Sequence, residues 1–180
     1  QLLISAELID ARSNRNLWGD QYDRKMADLI AVQQDISGAI AARLSGNAAK
    51  PAAKAATSDP EAYQLYLKGR YQWNKRTKEG LERGRVYFQQ AIEVDPACAL
   101  AYAGLADTYA LSGGIYGLEP PEEAFPKARE AALRALELDS SLAEPHTSLA
   151  MIHFWFDWDW QGAEKEFRRA IELNPPSPSA

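Results

Sequence analysis

Two histidines, His146 and His153, lie seven residues apart in one apolar stretch, so they share a face of any helix formed there. A zinc site built on them would need further ligands, and none stands at a suitable spacing, so both read as packing side chains. Asp157 and Asp159 in FDWDW are two alternating carboxylates, far short of the graded oxygen ligands of a calcium loop, and they read as caps of a turn. Cys98 follows Pro96 with no helical histidine nearby and reads as a small buried residue rather than a nucleophile. The chain has no glycine-rich phosphate loop, no GxSxG elbow and no HExxH pair. No catalytic residue, metal or cofactor is therefore assigned, and no enzymatic activity is expected of these 180 residues.

Charge offers a second chemistry. The net charge of −5 divides unevenly: residues 1–67 carry −1, residues 68–85 carry +5 and residues 86–180 carry −9. The basic cluster is Lys68, Arg70, Lys75, Arg76, Lys78, Arg83 and Arg85, and long basic side chains on a helix pair usually form a solvated face. Its alternative reading is a patch for nucleic acid or another anionic ligand, although the chain as a whole lacks the basic balance of a nucleic-acid binder.

The elements that must position these residues are repeated. FQQAIEVDP at Phe88–Pro96 returns as ALRALELDS at Ala132–Ser140 and as FRRAIELNP at Phe167–Pro175, with starts 44 and 35 residues apart. A second frame alternates with the first: YAGLADTYAL at Tyr102–Leu111 matches HTSLAMIHFW at His146–Trp155, with Leu105/Leu149 and Ala106/Ala150 in register. Alternating helices at this period resemble tetratricopeptide (TPR) repeats. Ala91, Ala106, Ala135, Ala150 and Ala170 are small where helix axes must approach, Phe88 and Phe167 fill the space beside them, and Pro96 and Pro175 force the turns. The spacing predicts three repeats, about 60–96, 97–140 and 141–175, within residues 60–180. In the first, Tyr63, Leu67, Tyr71 and Trp73 form the aromatic face of a helix capped by Asp59–Pro60, although Gly69 suggests another register. GGIYGLEPPEE at Gly113–Glu123 is an inserted loop, and Pro126 requires the next helix to begin close by.

Upstream, Leu2, Ile4, Ala6 and Leu8 alternate with polar or opposite-face residues. LWGDQYDR then places Trp18 and Tyr22 on one side, so residues 2–23 read as a β-hairpin. Leu29, Val32, Ile36, Ile40 and Leu44 recur at helical spacing over residues 27–44. Small and polar residues plus Pro51 mark a linker over 46–59. A hairpin with one helix cannot complete a domain, so residues 1–45 are expected to be the end of an α/β domain, either pairing with a second copy through an open strand edge or poorly ordered. A chain that starts with Gln1 inside a strand and ends in PPSPSA without a polar closing helix is expected to be a piece of a longer protein.

AELIDARSNRNLWGDQYDR, LIAVQQDISGAIAARL and YLKGRYQWNKRT, together with YAGLADTYALSG and DWDWQGAEKEFRRAIELNP, resemble a family of bacterial regulatory proteins in which a TolB-like α/β domain precedes TPR repeats. In that family a kinase, nucleotide cyclase or winged-helix domain often stands upstream. None of their motifs occurs here, so their activities do not transfer. The implied fold is mostly α, a TPR-like solenoid of three helix pairs preceded by a hairpin and helix from an incomplete α/β domain.

This frame predicts a non-catalytic interaction and regulatory module that takes a protein or peptide segment, including one from its own full-length protein. One cysteine and no apolar run of membrane length favour a cytoplasmic location, with the periplasm left open. The groove-facing residues are Leu100, Ala103, Asp107 and Ala110 in the second repeat, and Glu144, Thr147, Met151, Phe154 and Trp155 in the third. TPR modules that capture chaperone tails use Lys and Asn at such positions, so an amphipathic or basic segment is expected instead, with Asp107 and Glu144 steering it. The aromatic run Phe154, Trp155, Phe156, Trp158, Trp160 is expected mainly to pack, Trp158 and Trp160 clamping the turn.

Overall fold

The computed structural model describes residues 2–24, 31–32, 35–36, 38–40, 57 and 59–174. The chain divides into two compact units, Gln1–Pro60 and Glu61–Ala180.

In the first unit, strands β1 (Leu2–Asp10) and β2 (Arg15–Arg24) form an antiparallel hairpin, with an irregularity of register between Leu8 and Ile9. Asp10 closes its turn, accepting from the Arg12 N–H at 2.9 Å and from the Ser13 hydroxyl. Asn14 takes the left-handed backbone that its short polar side chain tolerates. The alternation read in the sequence is present: Ile4 opposes Tyr22 and Leu8 opposes Trp18 on the half-buried face, while Leu3, Ile9 and Leu17 are exposed. The described residues among 31–40 are helical and Val32 is buried. The rest of the helix expected at 27–44, most of the linker and the PPSPSA tail lie outside the described residues.

The second unit consists of paired helices: α1 (Pro60–Trp73) with α2 (Lys78–Val94), α3 (Ala99–Gly113) with α4 (Pro121–Leu138), and α5 (Glu144–Ile152) with α6 (Trp160–Leu173). Local chemistry explains their ends. Thr77 caps α2 by accepting from the Gly80 N–H at 3.0 Å, and Asp159 caps α6 by accepting from the Gly162 N–H at 2.9 Å. Proline opens α1 and α4, where a missing N–H costs nothing. Pro126 lies in the second turn of α4, which begins at Pro121 as the proline requires.

Close approach of small residues sets the stacking. Ala91, Ala106, Ala135 and Ala150 are fully buried and Ala170 nearly so. Phe88 of α2 lies between Gly69 of α1 and Gly104 of α3, and a Cβ on either glycine would come within 2.5 Å of its ring. Gly69 therefore decides the register of α1, and it overturns the aromatic face expected there. Tyr63, Tyr66 and Trp73 turn inward, whereas Leu67 and Tyr71 are exposed. Phe167 also departs from expectation: it repeats Phe88 in sequence but is 38% exposed, because no described helix follows α6 to cover it.

The inserted loop is ordered. Tyr116 and Leu118 pack against Trp73, Leu81, Phe88 and Leu111, and the Tyr116 hydroxyl donates to the Arg76 carbonyl at 2.8 Å.

Alanine normally stabilises a helix by about 1 kcal/mol over glycine. At position 104 the ring contact reverses that sign, so Gly104→Ala is expected to destabilise by about 1–3 kcal/mol in urea unfolding. Pairing it with Phe88→Leu should recover part of the loss, a non-additivity that unrelated sites would not show.

Candidate functional site

The first helices of the three pairs are joined across their faces by one buried carboxylate. Asp107 of α3 accepts from Arg70 Nη1 of α1 at 3.1 Å and from the Ser148 hydroxyl of α5 at 2.6 Å. Burial pushes its carboxyl up to about 6, although the Ser148 hydrogen bond and the Arg70 charge pull the other way and Glu144 adds to the rise. Tyr66, half-buried beside this network, has its phenol pushed up to about 12, chiefly by desolvation.

This arrangement corrects the expectation that Asp107 steers a partner, because its carboxylate is enclosed and paired. Ala103 and Ala110 are buried as well, and Leu100 packs against Ala91, Cys98 and Ala101. The second-repeat residues of the predicted groove thus form a closed floor. In the third repeat Glu144, Thr147, Met151 and Trp155 are half-buried and Phe154 is exposed. Trp155 is wedged over Gly114, where a Cβ would lie 2.7 Å from its ring, so it supports the surface as well as lining it.

The expected clamp of Trp158 and Trp160 does not form. After α5 the backbone widens into a π-helical turn, His153–Asp157, and then reverses at Trp158 in the left-handed region, φ 58°. This geometry turns the rings outward: Trp158 is 70% and Trp160 52% exposed. Phe154 meets Trp160 edge-on at 4.8 Å and Trp160 meets Trp158 edge-on at 5.8 Å, making an exposed aromatic ladder. A bulky residue in the left-handed region is unusual, and such strain clusters at ligand clamps and switch regions. Two ties hold the turn to α4: Phe156 stacks on Phe125 at 5.2 Å, and Arg129 donates to both oxygens of Asp157.

The remaining candidates fall into place around these contacts. His146 Nδ1 lies 2.6 Å from Glu166 Oε2 across the third pair. His153 Nδ1 lies 2.8 Å from Asp157 Oδ2, at ion-pair distance but off-line for a hydrogen bond. Asp159 is the α6 cap, as the spacing suggested, and Cys98 is fully buried at the start of α3. The basic cluster is largely engaged internally. Arg70 holds Asp107, Arg85 pairs with Glu119, Arg70 and Arg76 lie 4.3 and 3.7 Å from the Trp73 ring centre, and Lys75 lies 4.7 Å from that of Tyr71. Lys68, Lys78 and Arg83 stand exposed, without an ion pair to any described residue. A further cleft of about 630 Å³ opens between α3 and α4, lined in part by Tyr102, Tyr109, Lys127 and Arg134. Sequence reasoning did not single out these residues.

Similarity to known proteins bears on the same architecture. The first TPR of Spaghetti (RPAP3), solved bound to the HSP90 peptide SRMEEVD, superposes with a TM-score of 0.50 at 18% identity, covering 66% of this chain and 82% of that one. The fold is a TPR-like solenoid. No family model matches the chain. A putative adenylate cyclase 3 from Rhizobium meliloti (strain 1021) is 29% identical over 162 residues, 86% of this chain but 27% of the relative. The transcriptional regulator HilA of Salmonella typhimurium is 28% identical over 93 residues, 52% of this chain and 17% of the relative. Human protein O-mannosyl-transferase TMTC3 is 35% identical over 95 residues, 53% of this chain and 9% of the relative. The chain thus spans about a quarter or less of the length of these curated relatives.

The raised Asp107 carboxyl has a definite sign in stability. Between about pH 4 and 6 the folded chain keeps a proton that the unfolded chain has lost, so stability from this group falls as pH rises through that window. Relative to Asp107→Asn, the wild type is expected to lose on the order of 2 kcal/mol between pH 4 and 7. Urea unfolding of both proteins across that range checks it, and parallel curves would show that Asp107 ionises as freely folded as unfolded.

Proposed function

We propose that this chain is a non-catalytic interaction and regulatory module whose third repeat captures a protein or peptide segment. The observation that carries this reading is the exposed ladder Phe154–Trp160–Trp158, continuous through Phe154 with Trp155 and Met151 beside the first helices. Rigid rings and an adaptable thioether are the kinds of anchor that carry most of the energy at peptide interfaces. Glu144 and Thr147 sit on the same helix and add a polar margin, while Leu100, Ala103 and Asp107 act as the floor.

The peptide in the RPAP3 complex supports capture of a segment, but not of an acidic tail. Among the predicted groove positions of this chain, Ala103, Asp107, Thr147 and Met151 stand where a chaperone-tail clamp uses Lys and Asn, and none of them is a cation for a carboxylate. The names of the bacterial relatives support a place in bacterial signalling, with residues 1–45 as the end of a TolB-like domain, 46–59 as a linker and 60–180 as three repeats. The captured segment then belongs to a signalling partner or to another domain of the same full-length protein. Among the described residues no helix is long and apolar enough to cross a membrane. A cytoplasmic site of action fits the single cysteine.

The test is selection of peptides from a random displayed library on the intact chain, followed by affinity measurement on variants. Phe154→Ala is expected to weaken selected peptides at least about tenfold, since hot-spot truncations cost 2 kcal/mol or more, with circular dichroism unchanged. Affinity should also change little with salt. A steep log-linear salt dependence would instead assign binding to Lys68, Lys78 and Arg83.

A further inference from the structure

The Arg70–Asp107 bond aligns α1 with α3: the two residues stand one past Gly69 and Ala106, so these small residues share a register, as Ala106 and Ala150 do. Three residues before that register stand Tyr66, Ala103 and Thr147, and six before it stand Tyr63, Leu100 and Glu144. Tyr66 is half-buried and its ring lies 6.0 Å from those of Tyr63 and Phe88, so packing holds it in place. Ala103, between α1 and α5, is small and buried. Charge on this part of the face does not balance. Arg70 neutralises Asp107, whereas Glu144 of α5 is half-buried and makes no ion pair with any described residue. Desolvation leads in raising both the Asp107 carboxyl and the Tyr66 phenol, and the Glu144 charge adds to each. A carboxylate felt on both α3 and α1 faces back across the first two pairs, so its surroundings are helices already described.

We infer that Glu144 and Tyr66, with Ala103 as the floor between them, form a subsite that takes one lysine or arginine side chain of the captured segment. A carboxylate only accepts hydrogen bonds, so a donor that itself carries charge makes the strongest bond to Glu144. The face of a tyrosine ring attracts the same cation. An acidic or phosphorylated side chain would meet repulsion here. Met151 stands seven residues past Glu144 on α5, about 10 Å along the helix. The basic side chain and the apolar anchor of a segment bound in extended form are therefore about three residues apart. This subsite rests on the groove reading and names the chemistry that the groove selects.

Random displayed peptides are selected in parallel on the intact chain and on its Glu144→Gln variant. The wild-type pool is expected to carry lysine or arginine at a fixed distance from an apolar anchor, and the variant pool the anchor alone. For a peptide of the first pool, two changes are then compared by calorimetry: Glu144→Gln in the protein, and alanine in place of the peptide's basic residue. Each should weaken binding about tenfold, the scale of a hydrogen bond to a charged group, and both together no more than either alone. Glu144 lies in the first turn of α5, where an acid also steadies the helix. A purely structural role would weaken both peptides alike, and that result would overturn the subsite. So would pools of equal basic content whose binding Phe154→Ala still weakens, a result that leaves the groove standing. An empty selection, or binding indifferent to Phe154→Ala, would remove the groove reading and this subsite with it.

Discussion

The whole helical unit depends on one contact, the Phe88 ring held between two glycines. Gly69 and Gly104 lower the local helix propensity of α1 and α3, a cost of roughly 1 kcal/mol each. In exchange two helices close onto one aromatic side chain that is completely buried. Because the ring is rigid and its neighbours lack Cβ atoms, only one rotation of α1 and one of α3 satisfy it. The inward turn of Tyr66 and Trp73, the exposure of Leu67 and the alignment of Arg70 with Asp107 all follow from that choice.

The polar link is subordinate to that packing yet shapes the surface. Arg70 and Asp107 were separate candidates, one in a basic patch and one in an acidic groove, and the fold sets them 3.1 Å apart, with Asp107 enclosed and Arg70 half-buried over it. An enclosed pair of this kind contributes little net stability, but leaving either partner alone is costly, so it specifies how the first helices stand side by side. The recognition chemistry consequently shifts to the third pair, where rings rather than charges reach solvent.

Much of the fold was legible because it rests on size. The alanine frame, the turn at Pro96, the cap at Asp159 and the alternation of the hairpin each encode a local requirement that a short window of sequence contains. Features that depend on a second element were not legible. Leu67 and Tyr71 have helical spacing, and only the distant Phe88 shows that Gly69 overrides it. Phe167 copies Phe88 in letters, but burial depends on the helix that comes next. Trp158 and Trp160 looked like packing residues because large rings usually are. Nothing in FDWDW announces that α5 widens by one residue per turn and sends them outward. Asp107 read as a surface acid because its partners lie 37 and 41 residues away.

The ordered insertion after α3 changes how the array comes apart. In a simple stack each repeat holds only its neighbours and any junction is as good a place to break as another. Here Tyr116 reaches back to the Arg76 carbonyl, Leu118 joins the Phe88 cluster, and Glu119 draws in Arg85 from one side and Lys127 from the other. The first two pairs are thereby sewn into one cooperative block, while the third is joined to them by helix faces, the Asp107–Ser148 bond and the ties at its own turn. A cut in the insertion would therefore release a tie between the first two pairs, whereas the third pair would keep its helix-face contacts and the Asp107–Ser148 bond.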